Sequence, residues 1–290
     1  MRSVQEQSVL SVEHIIIDDG SDDSTRDLIQ SFRRQSLSHP LMYRYQDNRG
    51  ESAAVNAGLS LARGRYSLIL NSDDCLRAGA LAVLADSLRN GNYIAAYPDF
   101  EVVNSTGEPI KTIRKPKYSF TALLGDAECL PGPGTLFLTD ALKTRDIRDL
   151  RYRYVSDYHM WLKMALRGDF VHVNANLAQW RSHDQSTSIR EPKLALAKEL
   201  LLLFEQFLDD YEDEPRVRSL KQRAISSAYF RAALMTRTTD NFESRRFMLK
   251  SVKTRYRNGL RSIWGPHRVR STASTLLVPA GVLSRYSRGK

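Results

Sequence analysis

Cysteine is almost absent from this 290-residue chain: Cys75 and Cys129 are the only two, and neither sits in a CxxC or Cys/His spacing. That excludes a disulfide-stapled scaffold and the usual zinc modules, and it fits reduced thiols in a cytoplasmic setting. Long hydrophobic runs are lacking too. No stretch approaches the roughly 18 apolar residues of a membrane span, and the longest apolar tract near the C-terminus, residues 273–283, is broken by Pro279. The opening MRSVQEQSVLSVEH has no basic-then-apolar layout of a secretory leader. Nor is there a fixed-period repeat of the kind that builds a solenoid.

Acidic residues are scarce at one end only. Residues 216–290 hold 18 Lys and Arg but just Asp240 and Glu243, whereas residues 1–215 hold 25 basic and 31 acidic side chains. The whole-chain charge of +10 therefore describes neither part. A polyanion-binding role rests on the basic end alone, where Arg245, Arg246, Lys250, Lys253, Arg255 and Arg257 are either a solvated helix face or a contact for anionic lipid headgroups. No RNA- or DNA-recognition motif accompanies them, so nucleic acid is not the expected partner.

What is present is globular: 42% of residues are hydrophobic, too many for disorder, and the length suits one sizeable core with an appendage. From residue 12 to about 173, short β-rich runs alternate with helical stretches, which predicts an α/β fold with a mostly parallel sheet covered by helices. Strands are expected at 12–17, 42–45, 66–70, 93–97 and 135–138, with a hairpin over 100–113 turning at Asn104-Ser105-Thr106-Gly107. Helices are expected at 24–35, 51–63, 76–88 and 157–167, the second closed by Gly64 and the last by Gly168. Beyond Pro192 the pattern is helical only, notably at 194–208 and 224–235, and from Gly265 it weakens toward a basic tail expected to be partly disordered. The expected division is 1–190, 191–264 and 265–290.

Two acidic clusters end predicted strands, Asp18-Asp19 and Asp73-Asp74. In open α/β sheets ligands bind at that edge, although Asp-Gly-Ser and Ser-Asp-Asp are each also ordinary turn and cap chemistry. The ordered set VEHIIIDDGSDDST, QDNRGESAAVNAGLSLARGRYSLILNSDD, PGPGTLF, VSDYHMWLKMALRG and WRSHDQSTS resembles the family 2 nucleotide-sugar glycosyltransferases of GT-A fold, over residues 4–190. The resemblance implies a Rossmann-like sheet with a C-terminal helical extension and an inverting transfer of sugar from a nucleotide diphosphate to a hydroxyl of a growing glycan or lipid-linked acceptor.

Carried over by position, Asp18 and Asp19 stand where the family contacts the donor's base and ribose, and Asn48, Arg49, Gly50 and Asn56 where it lines the nucleotide side. Asn71-Ser72-Asp73 stands at the Asp-x-Asp position, with Asn in place of the first Asp, leaving Asp73, with Asp74 and His183, as expected ligands of Mn²⁺ or Mg²⁺ and Ser72 beside the donor. Such a cation offsets charge on the departing diphosphate. Asp157 takes the place of the general base, Trp161 reads as core or acceptor wall, and Pro131-Gly132-Pro133-Gly134 as a rigid turn or acceptor-facing backbone.

The resemblance also implies a first strand that finds no counterpart here, because RSVQEQS matches the end of the helix that follows it; a start placed too late is one expectation. A rival expectation is a non-catalytic relative that binds a glycan or protein partner. Localisation is expected to be cytoplasmic, with peripheral contact at the inner face of the membrane.

Overall fold

The structure is a computed structural model that describes residues 1–8, 11–143, 147–184, 186 and 190–256. The basic tail expected at 265–290 lies outside the described residues, as does the end of the expected helical segment. The described residues fall into two compact units, one drawn from residues 1–120 and 129–186, the other from residues 121–128 and 190–256.

In the first unit, helix α1 (Arg2–Gln5) precedes strand β1 (His14–Asp19), helix α2 (Thr25–Arg33) and strand β2 (Leu41–Gln46). β1 and β2 run parallel, with His14 opposite Leu41 and Asp19 opposite Gln46. That register brings both carboxylates of the Asp18-Asp19 pair to the strand end from which helix α3 (Glu51–Leu61) departs. Strand β3 (Tyr66–Leu68) follows, then β4 (Cys75–Leu76), helix α4 (Ala80–Arg89), β5 (Ala95–Val103), β6 (Pro109–Ile113), β7 (Leu136–Leu138), helix α5 (Thr139–Leu142), helix α6 (Ser156–Ala165) and β8 (Phe170–Arg181).

These strands form a second sheet ordered β3-β7-β5-β8-β4, with β6 on β5. The sheet is more mixed than the strand–helix alternation suggests: β5 and β8 are parallel, while β7, β6 and β4 run antiparallel to their neighbours. Among the described residues, β1 pairs only with β2 and β3 only with β7. Each therefore keeps, among the described residues, one edge without a strand partner, and Ile15, Ile16 and Ile17 of β1 are half-buried.

Leu76, expected to start a helix, instead forms a short strand with Cys75 against β8, and α4 begins at Ala80 after the left-handed Gly79. Leu84 and Leu88 recur one helical turn apart on α4, and with Ala80 they bury against Leu76, Ala96, Leu136 and Leu177. The twelve-residue β8 was not foreseen. Its ladder with β5 breaks between Pro98, Asp99 and Phe100, where Pro98 has no N–H to donate. At that break His172 Nε2 meets Asp99 Oδ1 at 2.8 Å, both nearly enclosed.

The second unit holds helices α7 (Lys193–Asp210), α8 (Pro215–Thr236) and α9 (Asn241–Tyr256). Ala197, Phe230, Ala232, Ala233, Phe247 and Met248 form its core, and Ser226 and Ser251 exchange hydroxyl-to-carbonyl bonds of 3.0 and 2.7 Å between α8 and α9. The π-helical turn Thr121–Gly125 belongs here, and Arg223 on α8 donates twice to the Asp126 carboxylate, at 3.1 and 2.7 Å. Among the described residues no helix is long and apolar enough to cross a membrane.

β1 contains a titratable liability. His14 Nδ1 is buried without a hydrogen-bond partner, and burial, then the chain's amino terminus and His39, push its pKa down from 6.5 to about 4. A folded-state pKa below the unfolded one means that the neutral ring favours folding above pH 6.5, and that this contribution is lost as pH falls toward 4. Lowering the pH from 7.5 to 5 should thus cost about 2 kcal/mol through this group. Denaturant midpoints across that range should flatten in His14→Leu; an equally steep loss in the variant would assign the acid sensitivity elsewhere.

Candidate functional site

Three clusters of polar side chains sit on the first unit. The first gathers at the end of β1. Asp18, nearly fully buried, accepts from the Ser21 N–H at 2.9 Å and the Tyr43 hydroxyl at 2.7 Å. Burial opposes its ionisation, but these bonds and nearby Arg26 prevail and hold its pKa below the usual carboxylate value. Asp19 accepts from Gln46 Nε2 at 2.7 Å and from the backbone N–H groups of Arg49 and Gly50 at 3.0 and 2.7 Å. It thereby ties β1 to the start of α3, where Gly50 is the N-cap. Gly20 is needed for this approach: its φ is +79°, and a Cβ there would lie 2.7 Å from the Asn48 nitrogen. Asn48, Arg49 and Gly50 themselves remain exposed around the loop.

The second cluster is built where β3 gives way to β4. The turn closes with the Asp74 N–H on the Asn71 carbonyl at 3.2 Å, leaving Asn71 and Ser72 exposed, Asp73 half-buried and Asp74 buried. Asp74, expected beside Asp73 as a cation ligand, instead turns inward to accept from the Arg181 backbone N–H at 3.1 Å. Burial, reinforced by the neighbouring Asp73 charge, pushes its pKa up to about 7. Asp73 faces the other way, and its Oδ2 lies 3.1 Å from His183 Nε2. The Arg181 guanidinium secures the arrangement, with Nε on the Asp73 carbonyl at 3.2 Å and Nη1 on the carbonyls of Asn104 and Ser105 at 3.2 and 3.0 Å.

Among the described residues, no three His, Cys, Asp or Glu side chains converge as a ready metal cage. The Asp73 carboxylate and the His183 imidazole are nevertheless two partly exposed oxygen and nitrogen donors side by side. That donor pair suits Mn²⁺, which accepts both kinds and takes further oxygens from phosphate and water.

The third cluster surrounds the start of α6. Asp157 lies in the first turn, half-buried, and accepts from the Tyr158 N–H at 2.6 Å. Trp161, one turn on, is core: it stacks on Phe137 with centroids 5.1 Å apart. The amide of Asn56, expected on the nucleotide side, is committed to bracing this segment, donating to the Arg148 carbonyl at 2.8 Å and accepting from the Arg148 N–H at 3.0 Å. Arg148, 5% exposed, donates from Nη1 to Ser156 Oγ at 3.1 Å.

Glu51 stands in the first turn of α3. Loss of water around its carboxyl raises its pKa, Arg148 pulls it down, and the negative Asp157 and Asp73 push it up again. The loop before β7 is shaped by Gly134, at φ +78°, where a Cβ would come within 2.8 Å of the Ala178 methyl. Thr135 Oγ1 closes it on the Gly132 carbonyl at 2.6 Å. Sequence reasoning missed Glu51, Arg148 and Arg181. Arg181 stood inside WRSH with its strand unrecognised, and nothing in a charged stretch singles out Arg148.

The Asn56 brace is testable. Asn56→Ala leaves a buried N–H and C=O of Arg148 without partners, which should cost about 2 kcal/mol. Urea unfolding should show the midpoint falling accordingly, and an unshifted midpoint would remove the brace.

Comparison with known proteins places this geometry in context. A family profile described as Glycosyl transferase family 2 matches residues 1–145. The chain is 28% identical over 197 residues to a protein named putative teichuronic acid biosynthesis glycosyltransferase TuaG of Bacillus subtilis, covering 67% of this chain and 77% of that one. Its share of longer relatives is smaller, 28% of the Escherichia coli chondroitin synthase for instance. In fold it is similar to S. aureus TarS 1-349 solved with UDP-GlcNAc, at TM-score 0.57 and 14% identity over 91% of this chain and 88% of that one. It is likewise similar to the mannosyltransferase PcManGT of Pyrobaculum calidifontis, solved with GDP-Man and Mn²⁺, at TM-score 0.61 and 15% identity over 99% and 82%.

Proposed function

The chain belongs to glycosyl transferase family 2, and we propose that it transfers a sugar with inversion from a nucleotide-diphosphate donor to a hydroxyl of a growing glycan or lipid-linked acceptor. The observation that supports this reading is the outward-facing Asp73 paired with His183 Nε2 at 3.1 Å on the turn before β4, together with Asp157 in the first turn of α6. A single displacement needs two such poles, one for the departing diphosphate and one for the arriving hydroxyl. Asp73 and His183 would hold a divalent cation there, which would neutralise charge at the first pole.

Everything else is done by the chain. The Asp19-fixed loop at Arg49 and Gly50 and the buried Asp18 shape the wall for the nucleoside, with exposed Asn48 and Ser72 beside it. Asp157 Oδ2, the oxygen not bonded to the Tyr158 N–H, removes the hydroxyl proton as the oxygen attacks the sugar's anomeric carbon. Asp74 closes the turn that aims Asp73 outward.

Asp73→Ala should lose metal-dependent nucleoside-diphosphate binding and turnover together. Asp157→Asn keeps the shape but cannot take the proton, so donor affinity by calorimetry should stay near normal while turnover falls about 10² to 10⁴-fold. Full turnover in Asp157→Asn would reject the base. No Mn²⁺-dependent nucleotide binding in the unmutated protein would favour a non-catalytic binder.

The partner surface is proposed to include an anionic membrane. On α9, Phe242, Arg246, Leu249, Lys250 and Lys253 fall on one exposed stripe, with Phe242 and Leu249 among the most exposed large apolar residues of the protein. Apolar insertion flanked by cations, each worth about 1 kcal/mol at a negative surface, suits such docking. Phe242→Ser with Leu249→Ser should weaken co-sedimentation with phosphatidylserine vesicles severalfold, and raised salt should do the same; unchanged sedimentation would remove this contact.

A further inference from the structure

The turn between β5 and β6 is heavily bonded for an exposed hairpin connection. Ser105, Thr106 and Glu108 are exposed and Asn104 is half-buried, so apolar burial contributes little to its order. One side chain supplies that order instead. Asn104 Oδ1 accepts from the Thr106 N–H at 3.0 Å, the Thr106 hydroxyl at 2.7 Å and the Glu108 N–H at 2.9 Å, while its Nδ2 donates to Glu108 Oε2 at 2.8 Å. The backbone adds the Asn104 N–H on the Glu108 carbonyl at 2.9 Å and the Gly107 N–H on the Asn104 carbonyl at 3.0 Å, with Gly107 at φ +92°.

This turn presents two carbonyls to Arg181. Nη1 of the guanidinium donates to the Asn104 carbonyl at 3.2 Å and the Ser105 carbonyl at 3.0 Å, which uses both of its hydrogens. The choice of neutral partners is informative, because a guanidinium pairs most strongly with a carboxylate. Two carboxylates belong to residues that Arg181 already touches: its Nε is on the Asp73 carbonyl, and its backbone N–H is on the Asp74 carboxylate. Among the described residues the guanidinium nevertheless forms an ion pair with neither, and Asp73 Oδ2 is left to His183 Nε2 at 3.1 Å.

We infer that Asn104 is a positioning residue of the cation pair: by fixing the β5–β6 turn it holds two carbonyls on Arg181 Nη1, which keeps the guanidinium from closing on the Asp73 carboxylate. The inference rests on the reading of Asp73 and His183 as the holders of a divalent cation. Released from the turn, Nη1 loses two neutral acceptors, and the carboxylate of the residue whose carbonyl Arg181 already holds is the stronger replacement. A guanidinium seated on that carboxylate would compete with a divalent cation both for its oxygens and for its charge. The turn thus acts on the site without touching any ligand.

The test measures binding of Mn²⁺ alone to the full chain, by loss of the free-ion EPR signal, beside thermal unfolding without metal. Asn104→Ala should weaken Mn²⁺ binding about tenfold, while the unfolding temperature falls only by about 2–4 °C. In an Arg181→Met background, where no guanidinium is left to close, the same Asn104→Ala change should alter Mn²⁺ affinity by less than about twofold. The paired exchange Asn104→Asp with Glu108→Gln keeps the net charge and the acceptor that closes the turn, and should hold affinity within about twofold of the unmutated chain. A tenfold loss that persists in the Arg181→Met background would overturn the inference. So would an affinity that follows unfolding temperature across these variants whatever stands at position 181, which would make Asn104 a structural brace. Undiminished Mn²⁺ affinity in Asn104→Ala, with Asp73→Ala deprived of it, would overturn the inference and leave the cation reading intact. Mn²⁺ binding that Asp73→Ala does not weaken would overturn both.

Discussion

Arg181 is the residue on which the site hangs. At the end of β8 its backbone N–H takes the Asp74 carboxylate inward, while its guanidinium holds the carbonyls of Asp73, Asn104 and Ser105. Of two adjacent acids, one is thereby spent on closing the turn and the other is left facing His183. The β5–β6 turn is held by the same side chain, so the position of Asp73 is set by two loops at once. β8 can deliver Arg181 there because its bulged ladder with β5 resumes in register through Val103 opposite Arg181.

Around this anchor the chain concentrates groups that fold poorly and react well. Asp74, whose carboxyl burial pushes up to about pKa 7, adjoins the half-buried Asp73 in one turn, and Arg148 is buried against Ser156 at the start of α6. Partly desolvated charged groups of this kind oppose folding to the extent that their bonds fall short of the lost hydration. The fold offsets the cost elsewhere, through the nine consecutively buried residues of β5 and the α4 face packed on the second sheet. Catalytic surfaces commonly trade stability for charge in this way.

Much of the first unit was legible in the sequence, for reasons that particular residues make clear. The β1 isoleucines followed by Asp-Asp-Gly-Ser, and the α3 alanines opening after Asn-Arg-Gly, carry local signals strong enough to place their elements within a few residues. β8 was overlooked although Val171, Val173, Ala175 and Leu177 alternate with His172, Asn174 and Asn176 as a half-buried strand requires; its bulges against β5 shift the period. Strand direction was not legible: β7 is three residues long, and only its partners on both sides fix it as antiparallel. Motif order singled out Asp73, His183 and Asp157 as candidates, yet it could not show that Asp74 faces inward or that Asn56 is a brace. Those facts depend on contacts made across gaps of about a hundred residues.

The central claim is that Asp73 with His183 and Asp157 mark the two ends of one displacement. The most direct test is a crystal structure with a non-hydrolysable nucleotide sugar and Mn²⁺, using anomalous scattering to locate the ion. The account predicts an anomalous peak within bonding distance of Asp73 and His183 and touching the diphosphate, with the anomeric carbon of the sugar turned toward Asp157. A nucleotide sugar bound with its diphosphate remote from Asp73, or with its anomeric carbon facing away from Asp157, would contradict it.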